Sequence, residues 1–172
     1  MNRRSTLRPA LSAVSGAAAL LLISCSSGGG DDRRTTDGRA SHWGKDMGAP
    51  EASAFMKVAL PESATEVKGA VQINPQEDVY LLSFVTDEKT AVGVAEDLRP
   101  EQPLRARKQD LSSPTDLFGH LGLAEPRSEK GVRWAGVCPP CVGDSRRSEV
   151  QWIEIHLLPL DSGTTRVYIQ AF

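Results

Sequence analysis

Apolar and polar positions alternate along two long stretches of the chain. Val67, Gly69, Val71 and Ile73 are interleaved with Lys68, Ala70, Gln72 and Asn74, the period-2 pattern of a strand with one buried face. Asn74-Pro75-Gln76-Glu77-Asp78 then offers turn chemistry. Val79 to Val85 follows, apolar on both faces apart from Ser83, as a central strand should be. These two runs predict a hairpin. A second hairpin is predicted over 148 to 172. Ser148 to Leu158 sets Ile153, Ile155 and Leu157 against Glu154 and His156, and Asp161-Ser162-Gly163 makes the turn. Thr165, Val167, Ile169 and Ala171 then alternate with Arg166, Tyr168 and Gln170. A further strand fits Val132 to Val137, so Trp134 and Trp152 are both expected in strands.

Helical spacing occurs twice. Asp87 can cap a helix over Asp87 to Leu98 that buries Ala91, Val94, Ala95 and Leu98, with Pro100 ending it. A shorter helix is predicted from Ser113-Pro114, with the proline in its first turn, through Leu117, Phe118 and Leu121 to Gly122. Pro100 to Gln109 is polar and basic and predicts no element. The expected fold is therefore α+β: one antiparallel sheet built from hairpins, with two helices packed on one face. It occupies a single domain over residues 42–172, and no internal repeat is visible.

The first 41 residues have a different character. Arg3, Arg4 and Arg8 precede an apolar stretch from Ala10 to Ile23, which leads into Ser24-Cys25, the order of a secretory signal. That stretch is about 14 residues long, short of the roughly 20 that a spanning helix needs. Leu22-Ile23-Ser24-Cys25 resembles a bacterial lipobox. The resemblance implies cleavage before Cys25, lipidation of its sulfur, and a location at the cell membrane, lipid-anchored on the extracytoplasmic face. On this reading residues 1–24 are the signal and residues 25–41 a lipidated cysteine with a tether, the membrane being a partner through the lipid. The other reading is a secreted protein with a cysteine there by chance. Asn2 to Arg8 also resembles a twin-arginine export signal but departs from it at Thr6, so both export routes stay open. Ser26 to Arg39 has no apolar side chain to bury and reads as a flexible tether with a reach on the order of 20 Å. Its triple glycine follows no strand and lacks the Gly-Lys-Ser/Thr ending of a phosphate loop.

Charge narrows the partners. The chain carries 20 basic and 22 acidic residues for a net charge of −2, and three of the basic ones lie before Cys25, so the remainder is more acidic still. A nucleic-acid binder needs the opposite balance, so no nucleic-acid partner is expected. Its 172 residues also leave no room for a multi-domain enzyme.

Few residues offer specific chemistry. Cys138-Pro139-Pro140-Cys141 remains as a pair once Cys25 is lipidated, and outside the cytoplasm such a pair favours a disulfide. Cys-Pro-Pro-Cys also occurs in thioredoxin-like oxidoreductases, where a helix N-terminus stabilises the attacking thiolate. Here Val137 stands where those proteins place Trp, Gly143 interrupts the helix the motif should open, and too little chain follows to complete that fold. Free or metal-bound thiols are the third reading. Zinc would need more ligands. His156 reads more simply as a half-exposed sheet residue, while His42 lies near the tether and His120 in the short helix. No cofactor or metal is expected, and no nucleophile has an evident local base, so no catalytic residue is nominated. Trp43, Trp134 and Trp152 allow an aromatic glycan platform but are more simply packing residues. Arg105, Arg107 and Lys108, with Arg99 nearby, allow an anionic lipid or wall polymer but are more simply a solvated loop.

Leu60 to Val67 leading into a hairpin, the strand at Trp152 and the terminal Arg166 to Phe172 together resemble the small actinobacterial lipoproteins of no assigned activity. The resemblance covers about residues 55–172, and arginine outnumbering lysine 14 to 6 suits a GC-rich source. It implies an extracytoplasmic domain and carries over no catalytic residue. The expected function is a non-catalytic binding or interaction module, with a cell-envelope protein or polymer as partner. The alternative is a thiol-disulfide oxidoreductase using Cys138 and Cys141.

Overall fold

A computed structural model describes residues 40–111 and 116–172. The signal and lipidation site at Cys25, the tether up to residue 39 and the Ser113-Pro114 helix start lie outside the described residues. The described elements are β1 (His42–Gly48), α1 (Ala49–Met56), β2 (Thr65–Ile73), β3 (Val79–Asp87), α2 (Glu88–Asp97), β4 (Arg105–Ala106), β5 (Arg133–Val137), β6 (Ile153–Pro159) and β7 (Thr164–Ala171). The strands form one seven-stranded antiparallel sheet in the order β1-β2-β3-β7-β6-β5-β4. The C-terminal strand thus lies in the middle of the sheet, between the two hairpin partners β3 and β6. The fold is α+β with helices packed against the sheet, as the periodicity predicts.

Both helices cover the same face. Ala52 and Met56 of α1 and Ala91 and Ala95 of α2, with Leu98 at its C-terminal end, pack with Leu82 and Phe84 of β3, Ile153, Ile155 and Leu157 of β6, and Val167 and Ile169 of β7. Helix α2 begins as predicted, with the Asp87 carboxylate accepting a hydrogen bond from Thr90 N at 2.9 Å. Such a cap is worth about 1 kcal/mol. The second helix is not the predicted one. Residues 118–121 form a single 3₁₀ turn, and its Phe118 packs on the opposite face of the sheet with Leu81 and Tyr168. The second helix on the main face is α1, where Pro50 lies in the first turn and Glu51 accepts a hydrogen bond from Gly48 N at 2.7 Å.

Three local departures have clear causes. In β2 the predicted alternation fails: Val67 is 40% exposed while Ala70 and Val71 are both buried. The pairing with β3 shifts register between Thr65 and Lys68, and Glu66 there has a left-handed φ of 49°, so a bulge displaces Val67. Beyond it Ala70 and Val71 point to opposite faces, and β2 is covered on both, by α1 and by the 3₁₀ turn of residues 118–121. Strand β6 starts at Ile153 rather than Ser148, because residues 145–147 form a 3₁₀ turn and Trp152 precedes the ladder. Trp152 is therefore outside a strand, and its ring lies over Gly136, where a Cβ would come within 2.5 Å of it.

Candidate functional site

The cysteine pair lies just after β5. Cys138 and Cys141 are bonded to each other, with Cα atoms 5.2 Å apart. The chain makes one tight turn around them: Val142 N donates to Cys138 O at 3.2 Å and Asp144 N to Pro139 O at 2.9 Å. Gly143 then takes a φ of 62°, which ends the turn in the manner of a helix C-terminus. No helix starts at the motif, so no helix N-terminus acidifies a thiolate here. A hollow of about 300 Å³ beside the turn is lined by Pro139, Pro140, Gly143, Asp144, Ser145 and Ser148, and neither cysteine lines it. A carboxylate oxygen of Glu101 lies within 4.8 Å of the two sulfurs, but sulfurs bonded to each other are not the thiolates a metal takes.

What this turn holds in place is a buried arginine. Arg147 donates to Asp144 Oδ2 at 2.7 Å, to Asp97 Oδ2 at 2.9 Å and to Met56 O at 2.9 Å, and its Nη2 also reaches Lys57 O at 3.2 Å. It therefore closes the C-terminal ends of both α1 and α2, where carbonyls lack helical partners and cations are favoured. Arg146 adds hydrogen bonds to Asp144 and Asp97. The Arg146 guanidinium, together with that of Arg147, holds the Asp144 carboxyl well below the usual carboxylate range.

The face of the sheet opposite the helices carries a different set of groups. Register aligns Lys68 of β2, Ser83 of β3, Tyr168 of β7, His156 of β6, Trp134 of β5 and Arg105 of β4 in one row. Ser83 is fully buried, and its hydroxyl has no hydrogen-bond partner. His156 is 2% exposed rather than half-exposed as expected: it is flanked in the sheet by Trp134 and Tyr168, with Glu154, Arg107 and Arg127 near its ring. Its Nε2 lies 3.3 Å from Glu154 Oε2, while its Nδ1 is buried without a partner. A neutral ring protonated on Nε2 fits that arrangement. Burial pushes the His156 pKa down, against the pull of the Glu154 carboxylate.

Glu154 is the hub of this cluster. Its Oε2 also accepts from Arg127 Nη2 at 2.7 Å and lies 3.9 Å from Arg107 Nη1. Burial raises the Glu154 pKa, but the hydrogen bonds from His156 and Arg127 outweigh it and hold the carboxyl at about 2. Arg105 and Arg107 both lie over the Trp134 ring, 4.6 and 4.7 Å from its centroid. A cation over an aromatic face contributes about 0.5–1 kcal/mol at such sites, less than the several kcal/mol that desolvating a guanidinium costs. Stacking alone does not offset the burial of Arg107, whose Nη1 has no hydrogen bond.

The expected loop is thus partly packed. Arg107 is half-buried and Arg105 belongs to β4, while Lys108 and Arg99 are exposed. The tryptophans do not come together as a platform. Trp43 stacks on His120 with centroids 3.8 Å apart, Trp134 lies under two guanidiniums, and Trp152 covers Gly136. The His42 ring makes a local contact, 3.2 Å from Ala40 O. Sequence reasoning missed Glu154, Arg127 and Ser83 as members of a cluster. The available signal was a charged or polar residue at the inward phase of an otherwise apolar strand. Among the described residues no helix is long and apolar enough to cross a membrane. Comparison with protein-family models, with curated proteins and with solved structures finds no match.

Proposed function

We propose that this chain is a lipid-anchored extracytoplasmic lipoprotein whose domain is a non-catalytic binding module. The observation that carries the non-catalytic part is the setting of Cys138 and Cys141. They close a surface turn that presents Arg147 to the two helix ends, they head no helix, and they do not line the hollow beside the turn. That is the setting of a structural clip. The anchored part rests on the lipobox-like Leu22-Ile23-Ser24-Cys25, since two or more acyl chains hold a protein on a membrane where one holds it only marginally.

Three measurements test this reading. Cys25→Ser should move the protein from the membrane fraction to unprocessed or soluble forms, and equal membrane retention would count against the anchor. Replacing Cys138 and Cys141 together by serine should lower stability by about 2 kcal/mol, the chain-entropy value for so small a loop. The pre-reduced wild type should show no turnover of an insulin-type disulfide substrate. Turnover that vanishes in the double serine variant would make the protein a thiol-disulfide oxidoreductase instead.

A further inference from the structure

We infer that Arg105, Arg107 and Arg127, gathered around Trp134 and Glu154, form a binding site for a small oxyanion, a phosphate or carboxylate group. This rests on reading the domain as a binding module and names the chemistry of its ligand.

Arg105 is in β4, Arg107 follows that strand, and Arg127 lies in the 3₁₀ turn of residues 126–128. Two of the guanidiniums lie within 5 Å of one indole ring, and two converge on a single carboxylate oxygen. That oxygen is shared a third time, with His156. Glu154 and Asp110 are the acids that attract Arg107, while Arg127 and Arg105 repel it. Three cations thus meet two acids here.

Next comes the state of the donors. Arg107 Nη1 is buried, has no hydrogen bond and reaches Glu154 only at 3.9 Å. A guanidinium offers five donors in a planar fork that matches two oxygens of a carboxylate or phosphate. Burial first and then Arg127 push the Arg107 pKa down, as expected of a cation whose counter-charge is incomplete. An oxyanion beside Trp134 would accept from the exposed parts of the guanidiniums and relieve the repulsion between them. The side chains of Arg107 and Arg127 keep 20% and 33% of their surface exposed, so an anion meets the outer edges of these guanidiniums from solvent, while Arg107 Nη1 stays covered.

The test is a titration of the full-length chain with sodium phosphate and, separately, sodium glucuronate. Ionic strength is held constant with sodium chloride, and tryptophan fluorescence and thermal midpoint are followed. A saturable response is expected, and its fluorescence component should disappear in Trp134→Phe. Arg105→Gln, on an exposed residue, and Arg107→Gln should each weaken binding by about tenfold, the scale of a lost charge-assisted hydrogen bond. Glu154→Gln should bind the anion more tightly than wild type and be stabilised by it more, because a competing carboxylate is gone. A merely structural arginine cluster would not give that result. Which of the two anions saturates first identifies the oxyanion. A response that follows ionic strength alone, or an Arg107→Gln variant that binds like wild type, would overturn the inference. So would binding to phosphatidylglycerol vesicles without saturable binding of either free anion, since that reports attraction to a charged surface and not a site. Disulfide turnover by the cysteine pair would overturn the module reading but leave these titrations unaffected, so the two failures are distinguishable.

Discussion

Arg147→Ala is expected to lower unfolding stability by about 3 to 5 kcal/mol, the cost of breaking a buried ion pair from one side. Arg147 is fully buried and links three segments distant in sequence. Its partners are the Asp144 carboxylate, Asp97 at the end of α2, and the Met56 and Lys57 carbonyls at the end of α1. Alanine leaves the buried Asp144 paired with Arg146 but removes its bond to Arg147 and strips the Met56 and Lys57 carbonyls of their guanidinium donor. It also empties the volume of one of the largest fully buried side chains. Arg147→Lys keeps the charge but has no planar fork to reach both helix ends and the carboxylates together, so it should fall between alanine and wild type. Denaturant melts of the three proteins give the order directly. A loss below about 1 kcal/mol for alanine would mean that the helix ends do not depend on this side chain.

How far the sequence reveals this architecture depends on the range of the signal. The turn at Asn74 to Asp78, the Asp87 cap and the strand from Thr164 to Ala171 are local, and each forms where its residues predict. Strand β1 and helix α1 were not legible. His42–Gly48 is paired to β2 with a register shift, and its Asp46 has a φ of 60°, so it shows no regular period. Helix α1 is eight residues long and buries only Ala52 and Met56, and Gly48 and Pro50 read equally well as breakers and as a helix start. The polar cluster needs more than periodicity. Alternation shows that Glu154 and His156 share a face, but only the placement of β7 between β3 and β6 puts Tyr168 between Ser83 and His156. Likewise nothing local shows that the segment after Arg107 folds back to bring Arg127 within 2.7 Å of Glu154. Arg147 was hidden for the same reason: in Ser145-Arg146-Arg147-Ser148 the two arginines look alike, yet one is exposed and the other fully buried.

Acid should weaken the domain, and on the face of the sheet opposite the helices both Glu154 and His156 contribute. The Glu154 carboxyl is held at about 2 in the fold, against an ordinary value of 4.5. The unfolded chain therefore takes up the proton first as pH falls. The stabilisation from this group is complete above about pH 4.5 and is lost as pH drops toward about 2, a displacement that corresponds to about 3 kcal/mol. His156 has the same sign. Burial lowers its pKa below 6.5, so the unfolded chain binds its proton more readily and stability begins to decline as pH falls below that value. The other carboxylates lowered by partners, among them Asp87, Asp97 and Asp144, add a background common to wild type and variant. Glu154→Gln isolates the Glu154 contribution, because glutamine resembles the protonated acid. At pH 7 the variant should be less stable than wild type by about 3 kcal/mol, and the gap should narrow steadily between pH 4.5 and 2 as the unfolded wild-type chain takes up the proton that the folded carboxylate still excludes. Chemical denaturation at pH 7, 5.5, 4 and 3 measures it. A gap that stays the same from pH 7 to 3 would show that the variant loses packing and not charge, and Glu154 would then not be the acid-sensitive centre of this face.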